Sequence, residues 1–274
     1  MLYLASKAGE LCLTDVLLAV AIMLVIALVF GFLIMTVSKK FAVKTDEREE
    51  EVLSCLAGAN CGGCGKAGCP AMAHALIDGS GKIDDCPVTD KPHKEEIARI
   101  LGIDYSAAAA FYYVVKCGGG NLAERTADFV GLNDCVRENL VSGGGKACYA
   151  GCLGNGSCVK VCPVGAVTVK NGKADIDEDV CIRCGKCVEV CPKKLIVKVP
   201  VEAKVFVACS TDCKGKEVIN ACKSGCIGCG ICKRNCPSGA IEIIDNLPVI
   251  DYSKCAGCGY CAEHCSRKAI HLMR

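Results

Sequence analysis

The sequence predicts an α+β protein with one N-terminal transmembrane helix, a small helical domain and two tandem copies of a cysteine-rich module. Three observations predict this: a long uncharged apolar run at residues 16–37, a total of 27 cysteines in short runs, and a segment that repeats along the chain. A chain of 274 residues with a formal net charge of +2 suits two or three domains and shows no basic arm for binding nucleic acid.

Residues 16–37 are long enough to cross a bilayer as a helix. The run is too long for the apolar core of a signal peptide, and no small-residue cleavage site follows it. Lys39, Lys40 and Lys44 follow the run, so the positive-inside rule predicts a cytoplasmic C-terminal part. Asp15 is interpreted as a residue at the start of this helix rather than as an ion ligand.

A cysteine content this high indicates either a disulfide scaffold or a metal protein. Disulfide scaffolds are typically small and secreted, whereas this chain places its cysteines in C-x-x-C-x-x-C runs that end in C-P, a spacing typical of iron–sulfur clusters. Cluster thiolates carry negative charge, so the loaded protein is expected to be acidic despite its formal charge.

A membrane anchor is expected at residues 1–38, and a small helical domain is expected at residues 39–102. Helices are expected at residues 46–56, after Pro70, and from Pro92 to Leu101 with Gly102 closing the last one. A Gly-rich turn lies between the first two. It begins a four-cysteine pattern, which favours a [4Fe-4S] cluster over zinc, although zinc also accepts four thiolates. The ligands of this pattern are Cys61, Cys64, Cys69 and Cys86.

The segments 162–181 and 236–255 repeat each other in register: C-P, G-A, an apolar strand, a turn, a second strand and the next cysteine. Asn171-Gly172 and Asp245-Asn246 are hairpin signals at the matching place. The repeat predicts two tandem bacterial-type, two-cluster ferredoxin modules of βαββαβ-like order. The expected boundaries are a linker at 103–147, module 1 at 148–200, a linker at 201–225 and module 2 at 226–274.

In two-cluster ferredoxins the fourth cysteine of each run ligates the other cluster. The expected ligand sets of module 2 are therefore Cys226, Cys229, Cys232 with Cys265, and Cys255, Cys258, Cys261 with Cys236. Those of module 1 are Cys181, Cys184, Cys187 with Cys162, and Cys148, Cys152, Cys158 with Cys191, the last set lying in a stretched run.

Five further cysteines lie in the two linkers, where isolated thiols in a cytosolic electron carrier would be prone to oxidation. We expect Cys117, Cys135, Cys209 and Cys222 to ligate one more cluster, with Cys213 as the alternative ligand. This brings the expected total to five or six [4Fe-4S] clusters, with about six favoured. Cys12 and Cys55 receive no role.

No catalytic residue is predicted. The glycines at 118–120 and 143–145 lack the strand and helix context of a dinucleotide site, no phosphate-binding loop motif occurs, and the four histidines are scattered.

The chain resembles, over essentially its whole length, the B subunit of the Rnf complex, the ion-translocating ferredoxin:NAD oxidoreductase. The resemblance depends on the N-terminal span, the junction SKKFAV at 38–43, the turn GANCGGCGKAGC at 58–69 and the tandem modules, in that order. The second module and the extra cysteines resemble the longer, cluster-rich branch of that family.

The resemblance implies an electron-relay subunit of a translocase in the cytoplasmic membrane. Reduced soluble ferredoxin would be the donor, and partner subunits would carry the flavins, the NAD site and the sodium or proton path. Two alternatives remain open: a polyferredoxin subunit of another membrane oxidoreductase such as a hydrogenase, and a membrane-tethered redox sensor.

Overall fold

A computed structural model describes residues 13–40, 46–106 and 109–273. Cys12 and Lys44 lie outside the described residues, as do the side chains of Asp15, Lys39 and Lys40. The chain divides into two units, residues 1–47 and residues 48–274. Each unit is described by itself.

The first unit contains one long helix, α1, at Leu13–Lys40. Its segment Leu17–Val37 has a mean hydropathy of 3.2 and none of that segment is buried by the rest of the protein. An exposed apolar surface of this size is unfavourable in water, and the segment is long and apolar enough to cross a membrane. The helix covers the predicted run at 16–37.

The second unit contains nine short α-helices and two single 3₁₀ turns among its described residues. The helices are α2 Glu47–Cys55, α3 Cys69–Ile77, α4 Lys91–Leu101, α5 Cys135–Leu140, α6 Ser157–Lys160, α7 Lys186–Val190, α8 Gly215–Ala221, α9 Ile231–Arg234 and α10 Tyr260–Glu263. The 3₁₀ turns are Ile83–Asp85 and Gly120–Leu122.

Helices α2, α3 and α4 surround a small apolar core of their own, in which Val52, Met72 and Ile97 are almost fully buried. Asp90 caps α4 by accepting a hydrogen bond from the backbone N–H of His93. Gly102 ends α4 with a φ of 68°, a left-handed conformation that glycine adopts without strain. The three helices predicted for this domain are therefore present.

Eight strands form four antiparallel two-stranded sheets in the described part of the second unit. The strands are β1 Phe111–Val115, β2 Val167–Lys170, β3 Lys173–Ile176, β4 Ile196–Pro200, β5 Val205–Val207, β6 Ile241–Ile244, β7 Leu247–Ile250 and β8 Ile270–Leu272. The pairs are β1 with β4, β2 with β3, β5 with β8, and β6 with β7.

The outer strand of each module comes from a segment that the sequence suggested was a linker. In module 1, β1 pairs Val115 with Ile196 of β4. In module 2, β5 pairs Val207 with Ile270 of β8. Each module therefore begins with this strand and continues with two helices, two strands, one helix and a last strand. The expected starts at residues 148 and 226 fall inside the modules.

The inner hairpins turn at the dipeptides that the sequence indicated. Asn171 and Gly172 have φ values of 51° and 70°, and Asp245 and Asn246 have values of 47° and 64°. Two consecutive positive φ angles are typical of the type I′ turn, whose twist matches that of the two strands it joins.

The apolar residues of each module form one core, and the thiols pack against it. Core residues of module 1 include Val167 and Leu195, and those of module 2 include Val205 and Ile270. A third small cluster joins the modules, because Val114 and Val199 of module 1 pack with Phe206 and Tyr252 of module 2.

The core of the small helical domain predicts the effect of one truncation. Ile97→Ala should lower the free energy of unfolding of this domain by about 2–5 kcal/mol, because it removes a buried side chain and leaves a cavity. Ile103→Ala is the control, since Ile103 is 52% exposed, and it should cost less than about 0.5 kcal/mol. Urea unfolding of the full chain, followed by circular dichroism, measures both; equal effects would contradict the assigned core.

Candidate metal centres

The thiols of the described residues surround pockets rather than meet at single points. Within the described part of the chain, no three histidine, cysteine or carboxylate side chains converge closely enough for a single metal ion. Zinc in a four-thiolate site has a Zn–S distance of about 2.3 Å and draws its ligands together, whereas a four-iron cluster requires wider spacing. The donor sets are thiols in C-x-x-C runs that end in C-P, the spacing typical of [4Fe-4S] clusters.

The small helical domain holds its cysteines with backbone and side-chain hydrogen bonds. The N–H of Cys69 donates to Oδ1 of Asn60 at 2.8 Å, and the N–H of Gly63 donates to Sγ of Cys61 at 3.5 Å. The thiol of Cys86 lies 3.2 Å from the hydroxyl of Thr89. Cys64, Cys69 and Cys86 all contact the core of this domain, so the fold places three of the four predicted ligands around it.

Cys55 contacts this core as well, although it precedes the predicted ligands by a spacing that does not suit ligation. It is accordingly left outside the ligand set, as the sequence suggested.

One pocket of module 2 is lined by all four cysteines of the first expected set and by Cys261 of the second: Cys226, Cys229, Cys232, Cys265 and Cys261. Burial raises the pKa of the Cys226 thiol to about 11, with a further contribution from Cys209, Cys232 and Cys265. A neutral thiol is favoured there until metal binding displaces the proton, because iron stabilises the thiolate.

The remaining set of module 2 is also brought together. Burial raises the pKa of Cys261, and the nearby thiols of Cys255 and Cys258 raise it further. Cys236 packs against the same core as Cys255 and Cys261. Cys229 and Cys258 are the two exposed thiols among the described residues.

In module 1, Cys181 lies near Cys162 and Cys184, and Cys187 lies near Cys181 and Cys184. Burial, followed by these neighbours, raises the pKa of Cys187 to about 12. The structure therefore groups Cys162, Cys181, Cys184 and Cys187 as expected from the crossed ferredoxin pattern.

The other ligand set of module 1 differs from the expectation. One pocket is lined by Cys135, Cys152, Cys158 and Cys191. Burial raises the pKa of Cys158 to about 11, and Cys152, Cys135 and Cys191 add to the effect. Cys135 takes the place that was expected for Cys148, and Cys148 faces a different pocket. The structure therefore groups Cys135, rather than Cys148, with Cys152, Cys158 and Cys191.

The sequence repeat carries a signal for this grouping when it is followed towards the N-terminus of each module. At the interval that pairs Cys162 with Cys236, Cys152 matches Cys226 and Cys158 matches Cys232, but Asn155 stands where module 2 has Cys229. Module 1 therefore lacks its middle cysteine, and a thiol from another segment has to replace it.

Hydrogen bonds hold the replacement helix α5 against the stretched run. Asn155 donates through Nδ2 to Glu138 on α5, and the N–H of Cys135 donates to the hydroxyl of Ser157 at 2.8 Å. That hydroxyl donates to Asp134 at 3.1 Å, and Asp134 caps α5. Asn155 thus fixes the helix that carries the substitute ligand.

A further pocket lies between the two modules. It is lined by Cys117 and Cys148 from module 1 and by Cys209 and Cys222 from module 2, with Cys213 also on its wall. Burial raises the pKa of Cys148 to about 11, with added effects from Cys117, Cys222 and Cys209. Three of the four cysteines expected for a sixth centre therefore meet here, but Cys135 does not, and Cys148 stands in its place.

A buried lysine lies beside the thiol of Cys152. The ammonium of Lys146 donates to the carbonyl oxygens of Gly120 at 3.0 Å, Cys152 at 2.6 Å and Gly172 at 3.1 Å. Lys146 is only 8% exposed. A buried cation among neutral carbonyls is costly without nearby negative charge, and the thiolates of a loaded cluster supply that charge.

Comparison with known proteins agrees with these centres. A family model for an Fe-S cluster matches residues 56–88. A model for a 4Fe-4S dicluster domain matches residues 146–192 and again residues 216–266. Cys117, Cys135 and Cys209 lie outside all of these matches.

Three relatives cover most of the chain. The chain is 35% identical to the B subunit of the ion-translocating oxidoreductase complex of Methanosarcina acetivorans, over 93% of this chain and 97% of that protein. It is 38% identical to the B subunit of the Na(+)-translocating ferredoxin:NAD(+) oxidoreductase complex of Acetobacterium woodii, over 88% and 73%. It is 40% identical to the proton-translocating counterpart of Clostridium ljungdahlii, over 88% and 86%.

The exchange of Cys135 and Cys148 predicts the iron content of two double variants. Cys135→Ala with Cys158→Ala should remove about four irons per chain, because both ligands serve one cluster. Cys148→Ala with Cys158→Ala should remove about eight, because they serve two. Iron analysis of anaerobically purified full chains measures the difference. The grouping expected from the sequence predicts the opposite result.

Proposed function

This chain belongs to the family of B subunits of ion-translocating ferredoxin:NAD oxidoreductase complexes, and we propose that it relays electrons from reduced ferredoxin to partner subunits of such a complex. The observation that carries the proposal is the succession of neighbouring cysteine sites through residues 48–274. The clusters supply one-electron carriers when they are bound.

The contacts define an order of sites. In the small helical domain, Gly63 lies so close to Cys184 of module 1 that a Cβ on Gly63 would be 2.4 Å from the Cys184 carbonyl oxygen. Within module 1, the charge of Cys158 contributes to the raised pKa of Cys187, so the two ligand sets are neighbours. In module 2, the same holds for Cys261 and Cys232.

The two ends of this order suit different partners. Module 2 exposes Cys229 and Cys258, so a soluble one-electron donor reaches its ligand loops directly. The small helical domain follows the apolar helix in sequence and suits transfer to membrane-bound partners. In this proposal ferredoxin loses one electron at module 2, and each transfer moves one electron without a proton. Partner subunits supply the proton and collect two electrons for each NAD that is reduced.

We propose that the chain has no complete active site of its own. The partners are the flavin- and NAD-binding subunit, the membrane subunits and soluble ferredoxin. The proposed location is the cytoplasmic membrane, crossed once, with residues 48–274 in the cytoplasm.

The small helical domain predicts a test of the relay. In the assembled complex, Cys64→Ala should remove one cluster and lower ferredoxin-driven NAD reduction at least tenfold, because the route to the partners passes through that site. Cys55→Ala is the matched control in the same domain and should leave both iron content and rate unchanged. Full activity without the cluster would contradict the relay, as would NAD reduction by the isolated chain.

The orientation predicts the behaviour of reporters fused after Arg274. If the C-terminus is cytoplasmic, a fused fluorescent protein should be bright, because it folds in the cytoplasm. A fused alkaline phosphatase should be inactive, because it needs an oxidising compartment. Active phosphatase with no fluorescence would reverse the proposed orientation.

A further inference from the structure

The pocket between the modules is built by equivalent residues of the two repeats. Cys117 lies two positions after the end of β1, and Cys209 lies two positions after the end of β5. Cys148 and Cys222 each precede the first run cysteine of their module in the same C-x-x-x-C spacing, with Cys152 and Cys226. Each module therefore contributes two thiols from matching places.

The hydrogen bonds at the pocket follow the same equivalence. The N–H of Cys152 donates to Sγ of Cys117 at 3.3 Å. In module 2 the N–H of Cys226 donates to Sγ of Cys209 at 3.4 Å. N–H donors of this kind stabilise a thiolate sulfur.

The turns that carry the other two thiols also match. The N–H of Gly151 donates to the carbonyl of Cys148 at 3.0 Å, and the N–H of Gly225 donates to the carbonyl of Cys222 at 3.2 Å. Both glycines sit directly before the run cysteine of their module, so the two C-x-x-x-C turns present their first thiol in the same way.

The two modules are joined beside the thiols by a reciprocal pair of hydrogen bonds. The N–H of Gly118 donates to the carbonyl of Ala208 at 2.7 Å, and the hydroxyl of Ser210 donates to the carbonyl of Lys116 at 3.0 Å. Lys116 and Gly118 flank Cys117 just as Ala208 and Ser210 flank Cys209. The segments around Cys117 and Cys209 are therefore joined to each other by one bond in each direction.

The space around the thiols suits a group larger than one metal ion. A Cβ on Gly119 would lie 2.9 Å from Sγ of Cys222 and 3.8 Å from Sγ of Cys117, so only glycine leaves room for both thiols at that position. A cubane has four equivalent thiolate positions, and two cysteines from matching places of each module would fill them.

We propose that Cys117, Cys148, Cys209 and Cys222 hold one [4Fe-4S] cluster between the two ferredoxin modules and that this site is the bridge by which electrons pass from one module to the other. The bridging role rests on the proposed relay function, whereas the ligand set does not. The hydrogen bonds from Cys152 and Cys226 connect the site directly to a ligand of each flanking module. Transfer across it oxidises one flanking carrier and reduces the other by one electron, with no bond made or broken.

Cys213 is excluded from the ligand set by the same equivalence. It lines the pocket, but its thiol donates to Oε1 of Glu217 at 3.2 Å. Its counterpart in module 1 is an asparagine, Asn121 when Cys117 is aligned with Cys209 and Asn139 when Cys162 is aligned with Cys236. Cys213 therefore offers a control that changes the wall of the pocket and spares the proposed ligands.

The ligand set is tested by the iron content of the anaerobically purified full chain. Cys209→Ala and Cys117→Ala should each lose about four irons, and the double variant should also lose about four, because both thiols serve one cluster. Cys213→Ala should keep all its iron. Full iron in either single variant, or a loss of about eight in the double variant, would overturn the site. If Cys209→Ala fails to fold by circular dichroism, Cys222→Ala takes its place with the same expectation.

The bridging role is tested separately in the assembled complex. Cys209→Ala should lower ferredoxin-driven NAD reduction at least tenfold, while electron paramagnetic resonance after dithionite reduction should still show the clusters of both modules. Loss of the iron with an unchanged rate would refute the bridge and leave the site intact. Loss of activity in the Cys213→Ala control would also refute it, because the effect would then not require the ligands. A complex that shows no such activity even as wild type would refute the proposed function rather than the site.

Discussion

The structure of residues 48–274 depends on one constraint: four thiolates must converge on each cluster from a chain whose local runs supply at most three. In both modules the fold brings a thiol from the far run beside the near run, as Cys191 lies with Cys158 and Cys265 with Cys232. Cluster binding would therefore be coupled to the folding of the two halves. This dependence explains why the elements are so short. Helices of four or five residues such as α6, α7, α9 and α10 are too short to be stable by themselves, and their thiols pack into the module cores.

Much of this arrangement could be predicted from the sequence because it is encoded locally. Hairpin dipeptides, the glycine after α4 and the apolar run of α1 are features whose conformation depends on a few neighbouring residues. The C-x-x-C-x-x-C runs likewise define three ligands by spacing alone. The resemblance to the Rnf B subunit added the family, which the relatives confirm.

The features that could not be predicted depend on contacts between distant segments. Strand β1 is separated from its partner β4 by a long stretch of chain, and the residues of β1 do not indicate which strand it pairs with. The exchange of Cys135 and Cys148 has the same origin, because a lone cysteine carries no signal of which run it completes. Only the comparison of Asn155 with Cys229 within the repeat indicates that module 1 needs a thiol from outside its run. The asparagine at position 155 of module 1 and the helix α5 that brings Cys135 to the same site are therefore two parts of one difference between the modules.

The duplication of the ferredoxin module also explains how the two modules could be joined into one electron-transfer unit. The residues that follow the first strand of each module meet at the interface between the modules, where Gly118 donates to Ala208 and Ser210 donates to Lys116. A repeat that already carries a thiol at this position brings two thiols to the interface without further change, and the C-x-x-x-C turns bring two more. The relatives named for sodium translocation and for proton translocation are 38% and 40% identical to this chain. Overall similarity to these two B subunits therefore does not distinguish the coupling ion.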